Sequence, residues 1–155
     1  MDRIFKETLE EIKGLVGQNP HDLLLRICHL LKERIGHYDW VGFYISRDGE
    51  LVLGPYVGQP TEHTRIAFGK GICGQVAEKK QTMVIQDVSA EDNYLSCSID
   101  VQSEIVVPVL KDGRFVAELD IDSHSPAPFQ DDDRIFLEQV CALVAGHFEP
   151  VISRR

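Results

Sequence analysis

The chain has 155 residues, 43% hydrophobic and 26% charged, with a formal net charge of −9. That length suits one domain, residues 1–155, around one core, and the acidic balance excludes nucleic acid or an anionic membrane surface as the main partner, since both call for a basic face. No apolar run is long enough to cross a bilayer, and residues 1–7 mix charges without the layout of a secretory leader, so the expected location is cytoplasmic.

A first helix is predicted over residues 2–16. Asn19-Pro20 reads as the start of a second, with Asn19 capping and Pro20 at the first helical position. Leu24, Ile27, Cys28, Leu31 and Ile35 follow at helical spacing, and Gly36 closes it. A strand over 39–46 turns at Asp48-Gly49, a hairpin signal, into a strand over 50–57. Residues 58–72 form a loop with a short strand at 64–68. A short helix spans 73–80, a short strand 82–85, and 86–103 is irregular with one helical turn. Strands over 104–110 and 114–123 are joined by Lys111-Asp112-Gly113, a second hairpin signal. Asp131-Asp132-Asp133 opens the last helix, where acids suit the macrodipole, and Phe136, Val140, Val144 and Phe148 form its apolar stripe. Hairpins flanked by helices make an α+β layout, not a doubly wound parallel sheet.

Side chains alternate along strands. In the first strand Val41, Phe43 and Ile45 share a face, and Trp40, Gly42 and Tyr44 share the other. Two aromatics flanking a glycine leave either a ligand-sized recess or a second core layer. In the 114–123 strand, Phe115, Ala117, Leu119 and Ile121 face one way and Glu118, Asp120 and Asp122 the other. Three carboxylates on one face suit a solvated surface. However, the hairpin brings Glu104 toward Asp120 and Asp122, which suits a cation site, a bound ammonium, or acids that hold a proton at neutral pH.

Gly69-Lys70-Gly71-Ile72-Cys73-Gly74 matches GxGxxG. The dinucleotide reading needs a preceding strand and a long crossover helix to a parallel neighbour, whereas this loop opens only a short helix and the later strands pair by hairpins. The loop suits a helix N-terminus that meets a small anion, with Cys73 in its first turn, where a thiolate is stabilised. Of the four cysteines, Cys28 and Cys141 fall on or beside helix stripes and read as core, while Cys97 lies in a polar loop. The wide spacing offers no disulfide framework. The six histidines show no paired spacing for a metal, so none is expected.

Together, Asp39-Trp40-Val41-Gly42-Phe43-Tyr44, Leu51-Val52-Leu53-Gly54-Pro55-Tyr56, the glycine loop, Cys97 followed by Ser103-Glu104-Ile105-Val106-Val107-Pro108, and Leu119-Asp120-Ile121-Asp122-Ser123 resemble the free methionine-(R)-sulfoxide reductases, a branch of the GAF domain family. The resemblance covers nearly the whole chain. It implies a mainly antiparallel six-stranded sheet with helices on both sides, a homodimer, and a closed pocket for free methionine sulfoxide. It implies Cys97 as the catalytic cysteine and Cys73 as a second one in the glycine loop, beside Ile72. Trp40 and Tyr44 would hold the methyl end of the substrate. Glu104, Asp120 and Asp122 would bind its amino group and sulfoxide. One departure stands out: members carry a third, resolving cysteine upstream of the glycine loop, whereas residues 58–65 contain none, and Glu62 or His63 stands near that place.

The mechanism this implies needs no cofactor. Cys97 attacks the sulfoxide sulfur as a thiolate, and Glu104 or Asp122 donates a proton to the leaving oxygen. Cys97 becomes a sulfenic acid, which either Cys73 or an external thiol resolves, with thioredoxin or a small thiol as reductant. The rivals are a non-catalytic small-molecule-sensing GAF domain and a redox switch that pairs Cys73 with Cys97.

Overall fold

The computed structural model describes residues 1–92, 94 and 100–148, so Cys97 lies outside the described residues. Two tight turns organise the sheet. Asp48 and Gly49 (φ 52° and 80°) join β1 (Trp40–Arg47) to β2 (Glu50–Val57), and Asp112 and Gly113 (φ 52° and 77°) join β5 (Ser103–Lys111) to β6 (Arg114–Ser123). Positive φ at both central residues matches the twist of the strands. β1 pairs with β6 and joins the hairpins, β3 (Arg65–Ala67) adds to β2, and β4 (Met83–Ile85) adds to β5. The order is β3-β2-β1-β6-β5-β4, and every pair described is antiparallel.

Helices cover both faces of the sheet. On one, α1 (Arg3–Gln18), α2 (Leu23–Arg34) and α4 (Asp131–Val144) bury Ile12, Ile27 and Phe136 in one core with Val41, Phe43 and Leu119. Each such side chain contributes about 1.5–3 kcal/mol. On the other, the short α3 (Gly71–Lys79) packs Ile72 and Val76 into a smaller core with Trp40, Tyr44 and Val106. Asp133 anchors α4: it accepts from Tyr38 Oη at 2.7 Å and from the Gln130 N–H at 2.9 Å, and lies 2.7 Å from His37 Nε2. Burial pushes its pKa up, but the hydrogen bonds from His37, Gln130 and Tyr38 outweigh this and leave it lowered.

Three local expectations are corrected. Asn19 does not start α2. It closes α1 in the left-handed region (φ 48°), its N–H bonded to Leu15 O, because asparagine tolerates that conformation at a helix end. α2 ends at Arg34 through an extended Ile35 rather than at Gly36. Phe115 does not share a face with Ala117. The β5–β6 register shifts between Val109 and Leu110, and this bulge turns Val116 into the larger core and Phe115 into the smaller one.

Candidate active site

The α3 face of the sheet carries Trp40, Tyr44, Glu104, Asp120 and Asp122, because antiparallel pairing sets them in rows. Trp40 pairs with Asp122, which pairs with Glu104. Gly42 pairs with Asp120, which pairs with Val106. Tyr44 pairs with Glu118, which pairs with Pro108. Directly opposed Cβ atoms are about 4.5–5.5 Å apart, so the approach of Glu104 to Asp122 follows from register. The solvated-face reading is excluded: Glu104 is 4% exposed, Asp120 1%, and Glu118 and Asp122 0%.

Four acids buried together are not all ionised. Glu104 hydrogen-bonds to Asp120, and a bond between carboxyls needs a proton on one of them. The Cys73 thiol donates to Asp120 Oδ2 at 3.4 Å. Burial raises the pKa of Asp120, and the bonds from Glu104 and Cys73 hold it back. Burial, then the charge of Asp120, push the Glu118 acid well above the usual range, and a hydrogen bond with the Cys73 thiol holds it back only in part. Cys73 is raised well above the ordinary thiol range by burial, then by the charges of Asp120, Glu118 and Glu104. The expected Cys73 thiolate is therefore corrected. Cys73 does sit in the first turn of α3, but three nearby acids outweigh the helix terminus and keep it protonated.

Glu118 should depend on pH in a visible way. Its folded-state pKa lies above the unfolded value of about 4.3, so folding stability is greatest below that pH and falls as pH rises through the folded pKa. Glu118→Gln is expected to raise stability at pH 8, because the amide replaces an acid that is held protonated in the fold but ionises in the unfolded chain, and to change it little at pH 4. Urea unfolding at both values checks this, and equal gains would contradict it.

The aromatic residues are placed as expected, but the recess between them is not. Trp40 donates from Nε1 to Gln59 O at 2.9 Å and stacks on Tyr56 and Tyr44, with ring centroids 5.4 and 6.4 Å away. Its indole lies across Gly42, where a Cβ would come within 2.5 Å of Trp40 Cη2 and 2.8 Å of Tyr56 Cβ. The absent side chain thus makes room for the indole rather than for a ligand. The cavity lies beyond Tyr44, whose hydroxyl donates to His63 O at 2.8 Å. Tyr44, Ile72, Cys73, Glu104 and Asp120 line it, about 10 Å³ in volume, room for about one water. Trp40 and Asp122 belong to the same sheet face but do not line this cavity.

The predicted set of site residues left out four neighbours. His63, Ile66 and Lys70 also line the cavity, and Glu118 lies in hydrogen-bond contact with Cys73. Strand parity pointed to Glu118, but the motif of the resembled branch does not include it. The cysteines at 28 and 141 are buried core residues, with thiols raised chiefly by burial.

Close backbone approach holds α3 against the sheet. Gly69 N–H donates to Gly74 O, and a Cβ on Gly74 would lie 2.7 Å from Ala67 O and 2.9 Å from Gly69 N, atoms that cannot swing aside. Gly74→Ala is expected to cost about 2–3 kcal/mol, read as a lower urea midpoint. An unchanged midpoint would mean that the loop yields.

The sequence matches the GAF domain family over residues 19–148. "GAF domain-containing protein A" of Dictyostelium discoideum is 35% identical over 90% of this chain and 89% of its own length. The free methionine-R-sulfoxide reductase of Escherichia coli is 38% identical over 73% and 68%. The free methionine-R-sulfoxide reductase from Neisseria meningitidis, solved in complex with its substrate, superposes with a TM-score of 0.87 at 37% identity, covering 96% of this chain and 91% of that one. The chain belongs to the GAF domain family, in the branch of the free methionine-(R)-sulfoxide reductases.

Proposed function

We propose that the protein reduces free L-methionine (R)-sulfoxide to methionine through a sulfenic acid on Cys97. The observation that carries this reading is the buried group of Glu104, Asp120 and Asp122 on one sheet face beside Tyr44 and Cys73. Its excess of acid suits the ammonium group of a free amino acid. A peptide-bound residue has no such group at that position, so the charge balance favours the free substrate. Trp40 and Tyr44 form the apolar side that suits the methyl end.

Cys97 attacks the sulfoxide sulfur as a thiolate. Glu104 or Asp122, holding a proton in this buried acid group, gives it to the sulfoxide oxygen. Such transfer contributes about 10²–10⁴-fold. The substrate sulfur gains two electrons and leaves as methionine, and Cys97 loses two and retains the oxygen as a sulfenic acid. A second thiol then condenses with it, releasing water, and a further thiol reduces the disulfide. That second thiol is Cys73 or an external one. The protonation of Cys73 and the lack of a cysteine in residues 58–65 favour the external route. The remaining parts of the reading are thioredoxin or a small thiol as reductant, a cytoplasmic homodimer, and no cofactor.

Incubation with racemic free methionine sulfoxide and dithiothreitol tests the reaction. Conversion should stop when half the substrate is consumed. If no methionine forms with either dithiothreitol or thioredoxin, the reaction is wrong and the pocket serves ligand sensing. Intact mass after substrate addition tests the resolving step: a loss of two hydrogens that vanishes in Cys73→Ser marks an internal disulfide, and a sulfenic acid adduct without that loss marks an external thiol.

A further inference from the structure

The α3 face brings together three atoms of a kind that bind metal. The Cys73 sulfur, one Glu104 oxygen and one Asp120 oxygen lie within 4.8 Å of one another, all on buried residues. Cys73 Sγ is 3.4 Å from Asp120 Oδ2. Zinc bonds of about 2.3 Å to sulfur and 2.0 Å to oxygen, at a tetrahedral angle, place the two ligand atoms about 3.5 Å apart. That edge is already formed without a cation. A second observation points the same way: Asp120 Oδ1 is buried with no hydrogen-bond partner among the described residues, on a residue that lines the cavity with Cys73 and Glu104. The cavity has room for about one water, which is what three protein ligands leave for the fourth position of a tetrahedral ion.

We propose that this pocket binds a divalent cation of the zinc class, held by Cys73, Glu104 and Asp120 with water as the fourth ligand, and that the cation blocks the pocket. Sulfur selects a borderline-soft ion, while magnesium and calcium favour six or more oxygen ligands. Binding is an exchange: the Cys73 S–H proton leaves to solvent, a sulfur–metal bond forms, and nothing is oxidised or reduced. The site does not depend on the proposed reductase activity, although the cation would occupy the place assigned to the substrate ammonium.

Cadmium serves as the probe, titrated into the reduced full chain and followed by the ultraviolet thiolate-to-cadmium charge-transfer band, with zinc affinity measured by competition. One equivalent should saturate the band in the wild type, and Cys73→Ser should abolish it. Asp120→Asn and Glu104→Gln should each weaken zinc binding at least tenfold, whereas Cys97→Ser should leave it unchanged. Circular dichroism checks that each variant folds, and if Cys73→Ser does not, the two carboxylate variants decide. No band in the wild type, a full band in folded Cys73→Ser, or unaltered zinc affinity in both carboxylate variants overturns the site. A cadmium band without methionine formation leaves the site standing and removes the reductase reading. Methionine formation without the band does the reverse.

Discussion

Cys97→Ser is expected to abolish methionine formation, with kcat at least about 10³-fold lower. A serine hydroxyl is a far weaker nucleophile than a thiolate and cannot carry the sulfoxide oxygen as a sulfenic acid, so no slower version of the same path remains. The decisive measurement is a single turnover without added reductant. Wild type should release one equivalent of methionine per chain, Cys97→Ser none, and Cys73→Ser still one. This contrast separates attack from recycling, since Cys73 acts only after methionine has left. A full equivalent from Cys97→Ser would move the nucleophile to Cys73, against the burial and acidic surroundings that keep that thiol protonated.

Asp120→Asn is expected to lower kcat/KM by about 30- to 150-fold, the equivalent of about 2–3 kcal/mol for a hydrogen bond to a charged group. Asp120 lines the cavity, accepts a hydrogen bond from the Cys73 thiol and bonds to Glu104. The amide keeps the shape but removes the charge that the substrate ammonium needs. Stability should move the other way. Burial raises the pKa of Asp120 above the unfolded value of about 3.9, so its stabilising contribution is present below that pH and lost as pH rises through the folded pKa. The variant should therefore melt no lower than wild type at neutral pH while its activity falls. A drop in melting temperature that accounts for the lost activity would make Asp120 structural only.

Much of the architecture was readable locally. Asp48-Gly49 and Asp112-Gly113 announced both hairpins, because positive φ at two successive residues suits few others. Alternation then assigned Trp40, Tyr44, Glu104, Asp120 and Asp122 to one face, and hairpin geometry brought Glu104 to Asp122. Errors arose where a residue type had two uses. Asn19 can cap a helix start or close a helix end, and the choice depends on where the preceding helix stops. Phe115 followed a period of two that the bulge interrupts.

The sequence by itself determined the antiparallel order of the hairpins, the face on which the acids lie, and the core placement of Cys28 and Cys141, since backbone periodicity and turn conformation depend on residues near in the chain. Only the tertiary structure decided that the acid face is buried, that the Trp40 indole covers Gly42, and that Cys73 is a protonated thiol. The reason is physical. Burial and electrostatics sum over neighbours from distant segments, and the docking of α3 on β5 and β6 removes water from acids that alternation alone leaves on an open surface.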